Sequence, residues 1–268
     1  MIKRPVPASS VLAAPSLWML VLAASALLCS SCAPAGRPPI AAAQPEIADL
    51  VRRIDQIGQQ FVSVRGLARV ALARGSDQKT VSQVVIARAP DQLRLETLGL
   101  FGSPALLAAT DGATLVVLLP GEGKAYAGSP DAGFLEKISS LPMTAEDVVS
   151  LLLLRPVLLA PQSIQLQRLD SGSHRLLLEA GELEQELDFD PDLRLNRFSV
   201  RLSGRLISSI RYERYRDGYP HLIELLLEPS ATRVALEFKD VEVNARIDPG
   251  LFTIEPPPGY DIEPFPLY

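Results

Sequence analysis

Cysteine is nearly absent. The 268-residue chain holds two, Cys29 and Cys32, both close to the N-terminus. That leaves no thiol for a disulfide, a nucleophile or a cysteine metal site in the folded part. Histidine is as scarce. His174 and His221 are the only ones, and both fall in stretches of strand periodicity, where a lone histidine is structural or solvent-exposed. No G-x-S-x-G, H-E-x-x-H or phosphate-binding loop occurs. The chain is therefore read as non-enzymatic, without a cofactor or metal. A basic surplus is also missing: the net charge is −5, and a nucleic-acid binder would carry a basic patch or domain. Nor is there a long apolar run. Residues 17–28 are apolar apart from Ser25, short of the roughly 20 residues that cross a bilayer.

What that run does offer is a secretory signal. Lys3 and Arg4 precede it and Ser30 and Ser31 follow it, the basic, apolar and small-residue order of a signal peptide. Its end resembles the lipobox of bacterial lipoproteins, where a small residue precedes a cysteine that is lipidated and becomes the new N-terminus. Cys32 after Ser30-Ser31 matches that pattern; Cys29 after Leu28 does not. Cys29 also stands three before Cys32, where such signals usually have Leu. The alternative is an ordinary cut near Ala35, with both cysteines incidental. The resemblance implies residues 1–31 as signal peptide and lipidation of Cys32. It also implies the periplasmic face of the outer membrane, because Ala33 rather than Asp follows the cysteine. Stable anchoring needs more than one acyl chain, which a diacylated, N-acylated Cys32 supplies. Without residues 1–31, 24 basic and 31 acidic residues remain, a net charge of −7.

Residues 32–45 then read as the lipidated cysteine and a Pro- and Ala-rich tether. Residues 46–268 are expected to form one domain. Ile47, Leu50, Val51, Ile54, Ile57 and Phe61 recur at helical spacing over residues 46–61, an amphipathic helix whose stripe must lie on something. From residue 62 the period becomes two. Strands are expected at residues 64–72, 81–87, 93–98, 105–110 and 114–119, with Asp111-Gly112 as a two-residue hairpin turn. Residues 128–162 interrupt this meander. Phe134, Leu135 and Ile138 suit a short helix. Thr144 and Asp147 form a capping-box pattern ahead of a helix running to Leu154. Strands resume at residues 162–169, 175–180, 183–189, 198–202, 207–215, 221–228 and 233–243. The apolar phase slips near Asp240, the mark of a β-bulge. The acids of residues 182–188 alternate along a strand and read as a solvated face. Residues 115–119, 176–178 and 225–227 are apolar on both faces and need cover on both, or a cavity on one. The fold expected is mainly β with helices, an α+β chain. It is a curved antiparallel unclosed β-barrel with a helical lid over an apolar cavity.

Three stretches carry a family resemblance. Residues 93–102 (LRLETLGLFG) look like the strand and apolar loop of LolB-like proteins. Residues 144–154 look like the second lid helix. Residues 248–254 (DPGLFTI), followed by Pro256, Pro257 and Gly259, look like the family's C-terminal ending. In element order the chain resembles the LolA/LolB family, including the related LolA-like lipoproteins, over residues 46–264. That resemblance implies a carrier that binds acyl chains or lipidated proteins and helps deliver them to the outer membrane. Its partners would be the membrane, through the N-terminal lipid, and a periplasmic carrier protein. In LolB a leucine protrudes from the loop after the third strand and assists membrane insertion. Leu100 and Phe101 match that loop, although Gly99-Leu100-Phe101 stands where LolB-like chains often have Pro-Leu. Phe61, Leu72, Val85, Leu95, Leu115, Val117, Leu152, Leu176, Leu178, Leu225 and Phe238 are candidates for the cavity wall. As residues alone they read first as the filling of an ordinary core; the resemblance is what raises the cavity beside it. The other reading of the whole is a non-transporting scaffold lipoprotein of an envelope complex, using the same fold.

Overall fold

The apolar stripe of residues 46–61 folds into α1 (Ile47–Gln60). Glu46 and Asp49 form a reciprocal capping box at its start, the Asp49 carboxylate accepting from the Glu46 N–H at 3.1 Å. Leu50, Ile54 and Ile57 are buried, and Phe61 extends the stripe just past the helix end. Each such side chain contributes about 2 kcal/mol of transfer free energy on burial. Gly58 lies on the same helix, where a Cβ would meet only Arg155, at 3.8 and 3.9 Å, in ordinary contact. Gly58→Ala is therefore expected to raise stability by about 0.5–1 kcal/mol, read as a higher Tm. A lower Tm would mean that Arg155 cannot accept the methyl group.

The structure is a computed structural model that describes residues 46–99, 102–131, 136, 141–228 and 230–264. Residues 1–45, with the signal, Cys32 and the tether, lie outside the described residues. So do Leu100 and Phe101 and the helix expected around Phe134, Leu135 and Ile138.

Two meanders make one sheet. The first runs β1 (Ser63–Arg74), β2 (Asp77–Arg88), β3 (Gln92–Leu98), β4 (Pro104–Thr110), β5 (Leu115–Leu119) and β6 (Lys124–Gly128). The second runs β7 (Ser163–Arg168), β8 (His174–Ala180), β9 (Leu183–Phe189), β10 (Leu195–Leu202), β11 (Arg205–Arg216), β12 (Tyr219–Leu227) and β13 (Thr232–Val243). Antiparallel pairing of β1 with β13 joins them, and β14 (Asp261–Pro264) adds in parallel to β6. The result is a single curved sheet of the expected unclosed kind, with β14 and β7 as its two edges. In the crossover from β6 to β7 lies α2 (Ala145–Leu152).

Several local expectations are corrected. The strands β6 and β14 were not foreseen. Asp111-Gly112 is not a two-residue turn, because Thr110 pairs with Leu115 and four residues make the loop. The Asp111 carboxylate shapes it by accepting from the N–H groups of Ala113 and Thr114, at 2.9 and 3.1 Å. Those bonds, Thr114 first, hold its carboxyl below the usual range. The bulge does fall where the phase slips: Leu67 pairs with Asp240 and Ala68 with Phe238, so Lys239 is the extra residue. Thr144 caps α2 as expected, with the Asp147 N–H donating to its Oγ1 at 3.0 Å. The helix ends at Leu152 rather than Leu154, since Leu154 turns to a positive φ of 55° ahead of Pro156.

Strand β2 is covered on both faces of the sheet. On the inner face Val64, Ala68, Val85, Leu93, Leu176, Leu178, Leu187 and Phe189 form one buried cluster with α1 and α2. Outside, the segment after β13 lays Ala245, Ile247 and Phe252 on Val84 and Ile86. Arg88 stacks on the Phe252 ring at 5.0 Å, and Arg94 donates to the Leu251 carbonyl at 3.0 Å. The acids of β9 are not a merely solvated face. Register sets them between arginines of β8 and β10. Arg175 forks onto Asp188 at 2.6 and 3.0 Å, Arg197 reaches Asp188 at 2.7 Å, and Arg201 reaches Glu186 at 3.1 Å. The Glu186 and Asp188 side chains are only 11% and 14% exposed. So sheltered, these carboxylates need neighbouring cations.

Candidate functional site

With only two turns, α2 would not persist in water by itself. Packing and hydrogen bonds seat it over the inner face. Its buried side is Ala145, Val149 and Leu152, continued by Leu153 and Leu154. Two tyrosines of the sheet hold its C-terminal end. Tyr219 donates its hydroxyl to the Leu152 carbonyl at 2.7 Å, and Tyr212 donates to the Leu151 carbonyl at 3.2 Å. The Leu151 carbonyl also accepts from the Leu154 N–H at 3.4 Å, and both carbonyls belong to the last turn, whose carbonyls a helix leaves open. Tyr219 is itself wedged edge-on between Phe61 and Phe238, at 5.3 and 5.9 Å. Beside them Tyr215 donates to the Leu195 carbonyl at 2.5 Å. Burial pushes all three hydroxyls up, well above the ordinary tyrosine range.

The chain after α2 is fastened by Gln185 of β9. Its Nε2 donates to the Val157 carbonyl at 3.0 Å, and its Oε1 accepts from the Leu159 N–H at 3.0 Å. Between this strap, α2 and strands β10 to β12 is a cavity of about 560 Å³. Leu151, Pro156 and Val157 wall it on the helix side. Phe198, Val200, Ile207, Ile210, Leu225 and Leu227 wall it on the sheet side. Glu136, Asp147, Ser150, Arg155, Gln185, Ser208, Tyr212 and Ser230 are its polar lining. The size, and an apolar wall set with polar groups, are those of a small-molecule site. Two other clefts, of about 570 and 580 Å³, are charged. Arg197, Arg211, Glu224 and Arg233 line one, and Asp188, Asp190, Arg194 and Arg214 line the other.

Of the eleven residues expected at the cavity, Leu225 lines it. Leu72 lines the first charged cleft. Phe61, Val85, Leu152, Leu176, Leu178 and Phe238 lie in the main buried cluster. Leu115 and Val117 form a second cluster with Ala108 and Ala145, and Leu95 packs against both clusters. Phe198, Val200 and Ile210 were missed as cavity residues. Their alternation was visible in the sequence, but not that α2 stands off from them. The loop that holds Leu100 and Phe101 is closed at its base. The Gly99 N–H donates to the Ser103 carbonyl at 2.8 Å, and the Gly102 N–H donates to the Gly99 carbonyl at 3.1 Å.

His174 and His221 sit apart, on β8 and β12, each with a buried Nδ1 that has no partner among the described residues. Among the described residues no group of three or more His, Cys, Asp or Glu could hold a metal ion. No helix there is long and apolar enough to cross a membrane.

No family model matches the chain, and no curated protein matches it in sequence. Solved structures do. A DUF1329 family protein from Desulfovibrio piger is 16% identical, over 79% of this chain and 98% of that one, with a TM-score of 0.53. A LolA superfamily protein from Nitrosomonas europaea is 14% identical, over 77% and 97%, with a TM-score of 0.52. At such identities the likeness speaks for the fold. The single curved, unclosed sheet with helices packed on its inner face is a LolA-like fold, and this chain has it.

Proposed function

We propose that the chain is a LolB-like lipoprotein, anchored through Cys32 on the periplasmic face of the outer membrane. It binds acyl chains or lipidated proteins beneath α2, and helps deliver them to that membrane without covalent chemistry. The observation that carries this reading is the apolar cavity of about 560 Å³ under a helix fastened by two tyrosine hydroxyls. Each methylene of an entering chain contributes about 0.8 kcal/mol on burial, and the chain fills the space beside α2, which stays seated by its buried Val149 and Leu152. Leu100 and Phe101 are assigned to contact with the bilayer, or with a periplasmic carrier protein that brings the cargo.

The test is native mass spectrometry on the chain from Ala33 onward, purified without detergent. It keeps the whole compact unit of residues 45–268. A bound mass of a fatty acid, phospholipid or acylated peptide is expected. Val200→Trp, which fills the cavity, should remove that mass and leave the circular dichroism spectrum unchanged. A second reading, a non-transporting scaffold of an envelope complex, draws support from the close packing of Phe61, Val85, Leu176 and Phe238. A chain that is empty and takes up no added acyl ligand would establish that reading in place of the carrier.

A further inference from the structure

Three charged side chains line the cavity, Glu136, Asp147 and Arg155, and the arginine is the cation among them. Arg155 follows α2 directly and lines the cavity. Its Cγ and Nε pass α1 at Gly58, 3.8 and 3.9 Å from where a Cβ there would stand. The backbone N–H of Arg155 is bonded to the Ser150 carbonyl at 2.8 Å. Its guanidinium has no hydrogen-bond or ion-pair partner among the described residues. Neither acid on the same wall serves it. The Asp147 carboxylate is held in the helix cap, accepting from both the N–H and the hydroxyl of Thr144 at 2.9 Å. Glu136 is exposed to solvent and forms no ion pair with Arg155. The last turn of α2 offers little either, since the Leu151 and Leu152 carbonyls already accept from Tyr212 and Tyr219.

A guanidinium presents paired N–H groups that match a carboxylate or a phosphate. Beside a low-dielectric wall it has reason to be matched. At about 560 Å³ the cavity falls in the size range that holds one small-molecule ligand.

We propose that the cavity takes a single-chain amphiphile with an anionic head. The chain lies among Phe198, Val200, Ile210 and Leu225, and the head pairs with Arg155. This rests on the carrier reading and narrows it to a ligand class. The two anionic heads that fit, carboxylate and phosphate, are separated in the test.

The experiment is isothermal titration calorimetry of the chain from Ala33 with dodecanoate, dodecyl phosphate and dodecanol, each below its aggregation concentration. At least one anion is expected to bind tenfold or more tighter than the alcohol, and the tighter of the two names the head group. Arg155→Gln should bring the anions down to the affinity of the alcohol and leave the alcohol unchanged. Arg155→Lys should restore part of the difference. Equal binding of all three ligands to the parent chain would overturn the anionic preference while leaving the carrier intact. Arg155→Gln weakening all three alike would overturn it too, because Arg155 would then be structural. No binding of any of the three would instead remove the carrier reading beneath it.

Discussion

Above about pH 10 the protein is expected to lose stability steeply, and three tyrosines around α2 are the reason. An unfolded tyrosine releases its proton near pH 10. Burial holds Tyr212, Tyr215 and Tyr219 well above that in the fold, where each hydroxyl also donates to a carbonyl. Between the two values the unfolded state binds fewer protons than the folded state, so stability falls as pH rises. It is fully present below about pH 10. Each tyrosine contributes about 1.4 kcal/mol per pH unit of slope once well inside the window, and the three together about 4. A typical domain has only about 5–15 kcal/mol to lose. Denaturant unfolding followed by circular dichroism at a series of alkaline pH values measures this slope. Tyr219→Phe should lower the slope by about one third. An unchanged slope in that variant would show that Tyr219 titrates freely in the fold.

The second large effect sits at the β-bulge. Gly66 of β1 pairs with Val241 of β13, two residues past the extra Lys239, and a Cβ there would lie 2.4 Å from the Asp240 carbonyl oxygen. It would also lie 3.1 Å from both the Phe238 ring and the Val241 Cα. Two of those three neighbours are backbone, which cannot rotate away as a side chain can. Gly66→Ala is expected to destabilise by about 3 kcal/mol, a Tm lower by roughly 6–12 °C for a domain of this size. Gly58→Ala, the same chemical change, moves Tm the other way, because its methyl group meets the side of a flexible arginine. Were both variants to behave alike, the bulge would have to relax around the added carbon, and thermal melts of the pair decide it.

What was legible in the sequence was local. The stripe of α1, the Thr144-Asp147 cap and the strand alternation depend on neighbours a few positions away. So does the phase slip that marks Lys239 as extra, since one residue inverts every side chain beyond it. What was not legible depends on distant partners. β6 is five residues with little pattern that pair with β5, and β14 contains a proline and has β6 as its partner. The acids of β9 look wet until β8 and β10 bring Arg175, Arg197 and Arg201 alongside. Alternation names the face of Leu176 and Leu225 alike. It does not say that the first lies in the packed cluster and the second at a space. That difference is set by where α2 is seated, which Tyr212, Tyr219 and Gln185 fix from 26 to 67 residues away in sequence.

The pairing of β1 with β13 also sets an order in time. Every other antiparallel pair joins strands that follow one another in the chain and can form as soon as the second is made. Val64, by contrast, pairs with Val243, which is synthesised about 180 residues later. Closing so long a loop adds about 3 kcal/mol over closing a hairpin, because the entropy grows only with the logarithm of length. The paired strands can repay that cost, but kinetically the seam comes last. From the moment it is made, one edge of the first strand stands open until the last long strand exists to meet it.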